Sequence, residues 1–292
     1  MGSTQHNSAR GAIATVGASQ TGRLIMRFKL LLISLTCLLS GCSALQPPDA
    51  GGPRSNQPVY PISLPAEATR LEEALGQWQR LAPPAPNAQP AKVTLHPYTA
   101  TIEALPPNTN LLLPKLGEKP TMSEEEMREA LRRFIVEWQS LIGADPDQLS
   151  LVDRTDQPDG TKLALYEQQP FRYPLRGTYG KLRIRFTQDR RVVNFSSTCI
   201  PHAERLQASL AAITPQLSWE DAQAKIINMR IANYLITPTN KPDVRELVVF
   251  ARDSAAGTGP LELHVAWEIA ITNAPFKLIY LDEVNGELLG TA

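Results

Sequence analysis

Cysteine is scarce in this chain. Three occur among 292 residues, at Cys37, Cys42 and Cys199, which excludes a small scaffold stapled by disulfides. Charge of one sign is lacking too. Lys and Arg number 29, as do Asp and Glu, so no basic surface for nucleic acid is expected. The four histidines, His6, His96, His202 and His264, are scattered, and none stands in a His-Glu-x-x-His zinc helix. A Gly-x-Ser-x-Gly elbow, a Walker loop and a dinucleotide glycine pattern are also missing. These absences exclude the familiar catalytic sets, and the expectation is a non-enzyme with no catalytic residue, no metal and no cofactor. Long hydrophobic runs are absent as well. The most apolar stretch, Leu30 to Leu39, is about half of the ~20 residues that cross a bilayer.

That short run has a telling setting. Arg27 and Lys29 precede it, and small residues close it at Ser40-Gly41-Cys42. Cationic start, apolar middle and small-residue end form the layout of a secretory signal peptide. Met26 stands directly before the basic pair, and residues 1–25 carry no periodic apolar pattern. The ending Leu39-Ser40-Gly41-Cys42 resembles the lipobox of bacterial lipoproteins. The resemblance implies removal of residues 1–41, a diacylglyceryl group on the Cys42 thiol and an acylated new amino terminus. Several acyl chains on one residue make anchoring stable, each buried methylene contributing about 0.8 kcal/mol. It also implies a cell-envelope location. Ser43 follows the cysteine where some bacteria place an aspartate as an inner-membrane signal, so the outer membrane facing the periplasm is expected in a Gram-negative host. Cys199 is then the remaining thiol, at the end of an apolar strand, and reads as a small buried hydrophobe.

Between Gln46 and Pro120 lie fifteen of the 25 prolines. Proline fixes φ and lacks an amide donor, so regular sheet is disfavoured there. Residues 42–120 read as a lipidated, Pro-rich tether with one short helix over 66–81, where Leu71, Leu75, Trp78 and Leu81 recur at helical spacing. A better-signalled helix follows. Ser123-Glu-Glu-Glu126 has the form of a capping box. Met127, Leu131, Ile135, Trp138 and Ile142 then share a face, and Gly143 stands where a glycine ends a helix.

Beyond it the period changes to two. Strands are expected at Leu149–Asp153 and Lys162–Gln168, then in a hairpin of Lys181–Thr187 and Val192–Ser196. Leu182, Ile184 and Phe186 alternate there with Lys181, Arg183 and Arg185. With Arg190 and Arg191 these make a cationic face, a candidate protein-binding surface. A solvated sheet face, with cross-strand pairing to Glu, is the plainer account. A second helix is expected from Ser218-Trp-Glu-Asp221 to near residue 235, followed by strands at Arg245–Arg252, Leu261–Ile271 and Phe276–Asp282, with a turn at Asn285-Gly286. Helix then meander, twice over, is an α+β plan with antiparallel sheets. The alternation puts Trp267 with Leu263, Val265 and Ile269 toward the core. It leaves His264 with Glu262 and Glu268, read as a solvated polar face, the alternative being a carboxylate–imidazole site.

Leu263-His-Val-Ala-Trp-Glu-Ile269, Lys277-Leu-Ile-Tyr-Leu-Asp282 and Asn285-Gly-Glu-Leu-Leu289 together resemble a PepSY module. Upstream, Tyr166 to Gly177, Lys181–Phe186 and the return strand through Phe195 resemble the fungalysin/thermolysin propeptide module. The resemblances imply a propeptide-like module over 121–200 and a PepSY-like one over 201–292. Such modules act as inhibitors or intramolecular chaperones of metalloproteases, or as free-standing binding domains, and no protease domain follows them in this sequence. The function expected is a lipid-anchored envelope binding protein, a non-catalytic inhibitor or chaperone, with a protease or another envelope protein as partner. The rival is a structural or assembly lipoprotein of an envelope or secretion complex.

Overall fold

The structure is a computed structural model and describes residues 59–83, 92–107, 109–119, 121–254 and 259–292. The signal segment 1–41 and the lipidation candidate Cys42 lie outside the described residues.

Two antiparallel-rich sheets organise the chain. The elements run β1 (Ile62–Leu64), α1 (Ala68–Leu81), β2 (Thr94–Leu95), β3 (Ile102–Ala104) and β4 (Leu111–Leu112). Then come α2 (Glu124–Glu137), α3 (Gln139–Ile142), β5 (Leu149–Asp156), β6 (Lys162–Gln168), β7 (Leu175–Gly177), β8 (Lys181–Phe186) and β9 (Arg191–Ser197). The last part holds α4 (Ala203–Ala211), α5 (Trp219–Ile226), β10 (Arg230–Ile231), β11 (Tyr234–Leu235), β12 (Asp243–Asp253), β13 (Leu261–Ala270), β14 (Leu278–Asp282) and β15 (Leu288–Thr291). This is the α+β architecture expected.

The first sheet has the order β4-β9-β8-β6-β5. Leu182, Ile184, Phe186 and Phe195 on its inner face are fully buried, and α1, α2 and α3 supply the other half of that core. Helix α2 forms as its sequence dictates. The Ser123 side chain accepts from the Glu126 amide while Glu126 accepts from the Ser123 amide, satisfying two donors that a helix start otherwise leaves open. Trp138 ends α2, and Gly143 closes α3 at φ 80, left-handed and suited to glycine. Phe134 stacks on Trp138 and meets Phe195 edge to face, with centroids 5.5 and 5.4 Å apart.

The second sheet has the order β15-β14-β13-β12-β7, and β1 also pairs with β13. Two of these strands come from unexpected places. Strand β1 lies within the stretch read as a tether, with Ile62 opposite Leu263. Strand β7 lies between the two sheet strands β6 and β8 in sequence, yet joins β12 in parallel, with Leu175 opposite Val249. The tether reading is corrected for the described part of 59–119. Trp78 from α1, Val93, Ile102 and Leu113 are all buried in the first core. Proline density did not keep this segment out of the fold, because its strands are only two or three residues long and lie between the prolines. On α1 the buried stripe is Leu71, Ala74, Trp78 and Leu81, and Leu75 is exposed.

Helix α5 is shorter than expected. Ser218 caps it, but the chain turns extended at Ile227 and Asn228 takes φ 69. Residues 230–235 form the β10–β11 hairpin instead. Ile231 and Ile236 reach the apolar cluster with Ala222 and Ile226, while Ala232 and Asn233, where a continuing helix would put its buried face, are exposed. Helix α4, not foreseen, packs Leu210 against Val249 and Val265 of the second sheet.

Candidate functional site

The four arginines of the expected cationic face separate in the fold. Arg183 is exposed on the outer face of the first sheet, opposite Leu165 on β6 and Ser196 on β9. Arg185 shares that face but is tied to the turn before β6. Its Nε donates to Thr161 Oγ1 at 2.8 Å, and its other end pairs with Asp159. Arg190 occupies the β8–β9 turn at φ 77, with its Nε buried and without a hydrogen-bond partner. Arg191 is exposed opposite Leu112 at the sheet's other end. Lys181 stands opposite Glu167, a cross-strand pair of opposite charge.

The densest polar constellation lies in the second sheet. Period-two alternation sends His264, Ala266 and Glu268 to one face of β13 and Leu263, Val265, Trp267 and Ile269 to the other. The second face packs on the apolar clusters beneath the helices, as expected. The first is a correction, because His264 and Glu268 are 1% and 4% exposed rather than solvated. Long side chains roof this face. Phe250 lies against Tyr280 at 4.6 Å between centroids, and the Tyr60 ring meets His264 edge-on at 5.6 Å.

Within that layer His264 Nδ1 is 2.7 Å from Asp282 Oδ2, and His264 Nε2 is 3.3 Å from Glu262 Oε2. The Tyr60 hydroxyl donates to Asp282 Oδ2 at 2.8 Å. The amides of Val284 and Asn285 donate to Asp282 Oδ1 at 2.8 and 3.1 Å. Arg252 bridges Glu262 and Glu287 at 3.2 and 3.1 Å. Burial alone would push the Asp282 carboxyl up. Hydrogen bonds from His264, Tyr60 and the two amides outweigh it together and hold the group below its ordinary value. Tyr60 is pushed far up, by burial first and then by Asp282, so its hydroxyl stays a donor.

This is the carboxylate–imidazole cluster that the alternation left as the lesser reading, with Asp282 in place of Glu268. A general base needs one ring nitrogen free to take a proton from a nucleophile. Here each nitrogen faces a carboxylate and the adjacent hydroxyl is committed to Asp282. The arrangement braces β1, β13 and β14 against one another. Asp282 and Tyr60 escaped the sequence reading because the alternation of one strand says nothing about which distant residue covers it.

Further along the same face Arg176 of β7 donates from Nε to Glu268 Oε2 at 2.8 Å and reaches Glu246 at 3.1 Å. Near the start of β13, Tyr179 donates to Asp253 and lies 3.3 Å from His96 Nε2. Cys199 is fully buried, and burial pushes its thiol up to about 12, far from a reactive thiolate. Among the described residues no group of three or more His, Cys, Asp or Glu is placed to hold a metal ion. Nor is any described helix long and apolar enough to cross a membrane.

No family model matches the sequence, and no curated protein matches it. Among solved structures the chain is similar to the C-terminal domain of YpeB from Bacillus megaterium. Identity is 11%, coverage is 76% of this chain and 96% of that one, and the TM-score is 0.30. A likeness so distant carries no argument about function.

Proposed function

We propose that this chain is a lipid-anchored envelope protein whose α+β unit binds another exported protein without catalysis, as an inhibitor or chaperone. In this reading Cys42 carries the lipid, the protein resides on the outer membrane facing the periplasm in a Gram-negative host, and the helix-plus-sheet units over 121–200 and 201–292 are propeptide-like and PepSY-like. The described residues of 59–119 belong with those units as a folded part.

The observation that carries the binding role is the edge of the first sheet. Among the described residues strand β5 ends that sheet and pairs on one side only, with β6. It exposes Leu151 and Val152, 42% and 46% accessible. An open strand edge is a template for an extended segment of a partner, main-chain hydrogen bonds supplying affinity and side chains specificity. Beyond the bulge between Leu151 and Asp153 the strand continues as Asp153-Arg154-Thr155-Asp156, and bulge and charge together limit indiscriminate pairing.

The test uses full-length protein carrying a photocrosslinker at Val152. Crosslinking to one exported protein or protease in envelope fractions, without peptide hydrolysis by the purified protein, is expected. Metal-dependent hydrolysis abolished by His264→Ala would remove the non-catalytic reading. Fatty-acid labelling tests the anchor separately, and labelling that persists in Cys42→Ser would sink it.

A further inference from the structure

Asp282 and Glu283 are adjacent in sequence but serve opposite faces of the second sheet. Asp282 joins the Tyr60–His264 layer, while Glu283 turns to the side where α4 packs. Glu283 is 1% exposed, and its Oε1 has no hydrogen-bond partner. It lines a cavity of about 200 Å³ whose other walls include Leu210, Ile213, Val249 and Val265. Arg172 and Gln207 also line it. Arg172 is exposed and so marks the outer rim. The Gln207 Oε1 already accepts from the Arg172 amide at 2.8 Å, which leaves the Gln207 amide nitrogen for an incoming group.

The cavity is held in shape. The Glu283 amide donates to Val265 O at 3.0 Å, and the Leu217 amide donates to Glu283 O at 3.0 Å. Trp267 Nε1 in turn donates to Leu217 O at 3.0 Å. These bonds fix the carboxyl-bearing residue and the loop after α4.

Glu283 sets its carboxyl in the wall of this cavity, and a ligand that brings a donor to it offsets the cost of burying it. The walls between carboxyl and rim are apolar, so the ligand must bring its donor on a hydrocarbon stem. The rim offers donors, so the root of that stem should carry acceptors. An apolar cavity of about 150 Å³ holds a six-carbon ring, so a four-carbon stem with its ammonium fits in this one. We infer that the cavity receives the side chain of a lysine presented by a polypeptide partner, Glu283 taking the ammonium while Arg172 and Gln207 take main-chain carbonyls. This rests on the protein-binding reading above and gives it a chemical specificity.

The electrostatics agree. Burial, and then the charge of Asp282, push the Glu283 carboxyl up to about 7. An ammonium favours the ionised form, so binding tightens as pH rises through that value and weakens below it. The charged or titratable neighbours are Asp282, held ionised by its own hydrogen bonds, Tyr60, whose hydroxyl stays protonated, and Arg172 and Tyr173 at the rim, the guanidinium 5.4 Å from the ring centroid.

Calorimetry of the full-length protein with acetyl-Ala-Lys-Ala-amide, its norleucine counterpart and n-butylamine tests the inference. At pH 8 the lysine peptide should bind about tenfold or more tightly than the norleucine peptide, with a loss of roughly tenfold on moving to pH 6. Glu283→Gln should reduce the lysine peptide to the norleucine level. The comparison of peptides on unaltered protein decides the matter even if that variant does not fold. Equal affinity of the two peptides, or binding of neither, overturns the inference. Butylamine binding as tightly as the lysine peptide overturns the polypeptide part, by assigning the cavity to small amines. Partner crosslinking at Val152 that survives in a folded Glu283→Gln variant, with lysine-peptide binding absent in the unaltered protein, removes this inference alone. Lysine-peptide binding without any crosslinked partner supports the cavity and removes the reading of the β5 edge.

Discussion

The hydroxyl of Tyr60 donates to Asp282 Oδ2 at 2.8 Å across 222 residues of sequence. The same hydroxyl accepts from the Val265 amide at 3.2 Å. One side chain therefore fastens the start of the described chain to two neighbouring strands near its end. A segment whose proline content suggested a spacer is part of the second sheet's polar layer.

Tyr60→Phe should lower stability by about 1–2 kcal/mol, because it removes a hydrogen bond to a carboxylate that stays buried. Urea denaturation with an unchanged m-value would register this as a lower midpoint. Limited proteolysis should leave a resistant fragment that retains 59–83. A stable product beginning near residue 121 would show that β1 and α1 contribute little.

His264→Ala should destabilise the protein by about 3 kcal/mol or more. The imidazole stands between two carboxylates, and removing one partner of a buried set leaves charge uncompensated. The sequence alone suggested a small effect here and a large one for Trp267→Ala. Trp267 is half-buried and donates to Leu217 O, so both replacements should now be costly. Thermal unfolding of the two variants side by side checks this.

Asp282 and Glu283 should respond to pH with opposite signs. The Asp282 carboxyl is depressed, so its stabilising contribution is complete above the ordinary carboxylate range and is lost as pH falls through its native value. Asp282→Asn should lose most near neutrality, the difference from the unaltered protein closing in acid. Glu283 is raised from 4.5 to about 7, so the native state holds its proton more tightly than the unfolded chain. Its cost is absent below about 4.5 and accumulates as pH rises to about 7. Glu283→Gln should therefore gain roughly 2 kcal/mol at pH 8 and nothing near pH 4. Melting temperatures of both variants across pH 3–9 provide the measurement.

Arg183→Glu should leave folding unchanged, since the side chain is exposed on the outer sheet face. Arg185→Glu should cost stability by breaking the contacts with Thr161 and Asp159. If the outer face takes part in binding, Arg183→Glu should weaken partner capture more at low salt than at high. Equal capture by the variant at every salt concentration would remove Arg183 from the binding surface.

The parts of the fold that were legible are those with local causes. Ser123 and Glu126 cap each other within one turn, and Gly143 ends a helix by its own backbone freedom. Leu182, Ile184 and Phe186 declare a buried face by spacing alone. The end of α5 was not legible, because Met229 continues the helical period and packs against the same apolar cluster from beyond the helix. Strand β1 was not legible either, since three residues between prolines carry no period.

For the candidate site the division is sharper. Alternation along β13 grouped Glu262 with His264, and the hydropathy of the chain put Leu263, Val265, Trp267 and Ile269 on the core side. Those assignments depend only on a period of two. Whether the His264 face met water depended on Tyr60, Phe250, Tyr280 and Asp282, brought over it from three other segments. Likewise the acids Asp282 and Glu283 look like a polar strand end in sequence, and only the packing of α4 and its loop made the second one a buried, unpartnered carboxyl. Local propensity is set by neighbours a few residues away, whereas burial is set by whatever the folded chain lays on top.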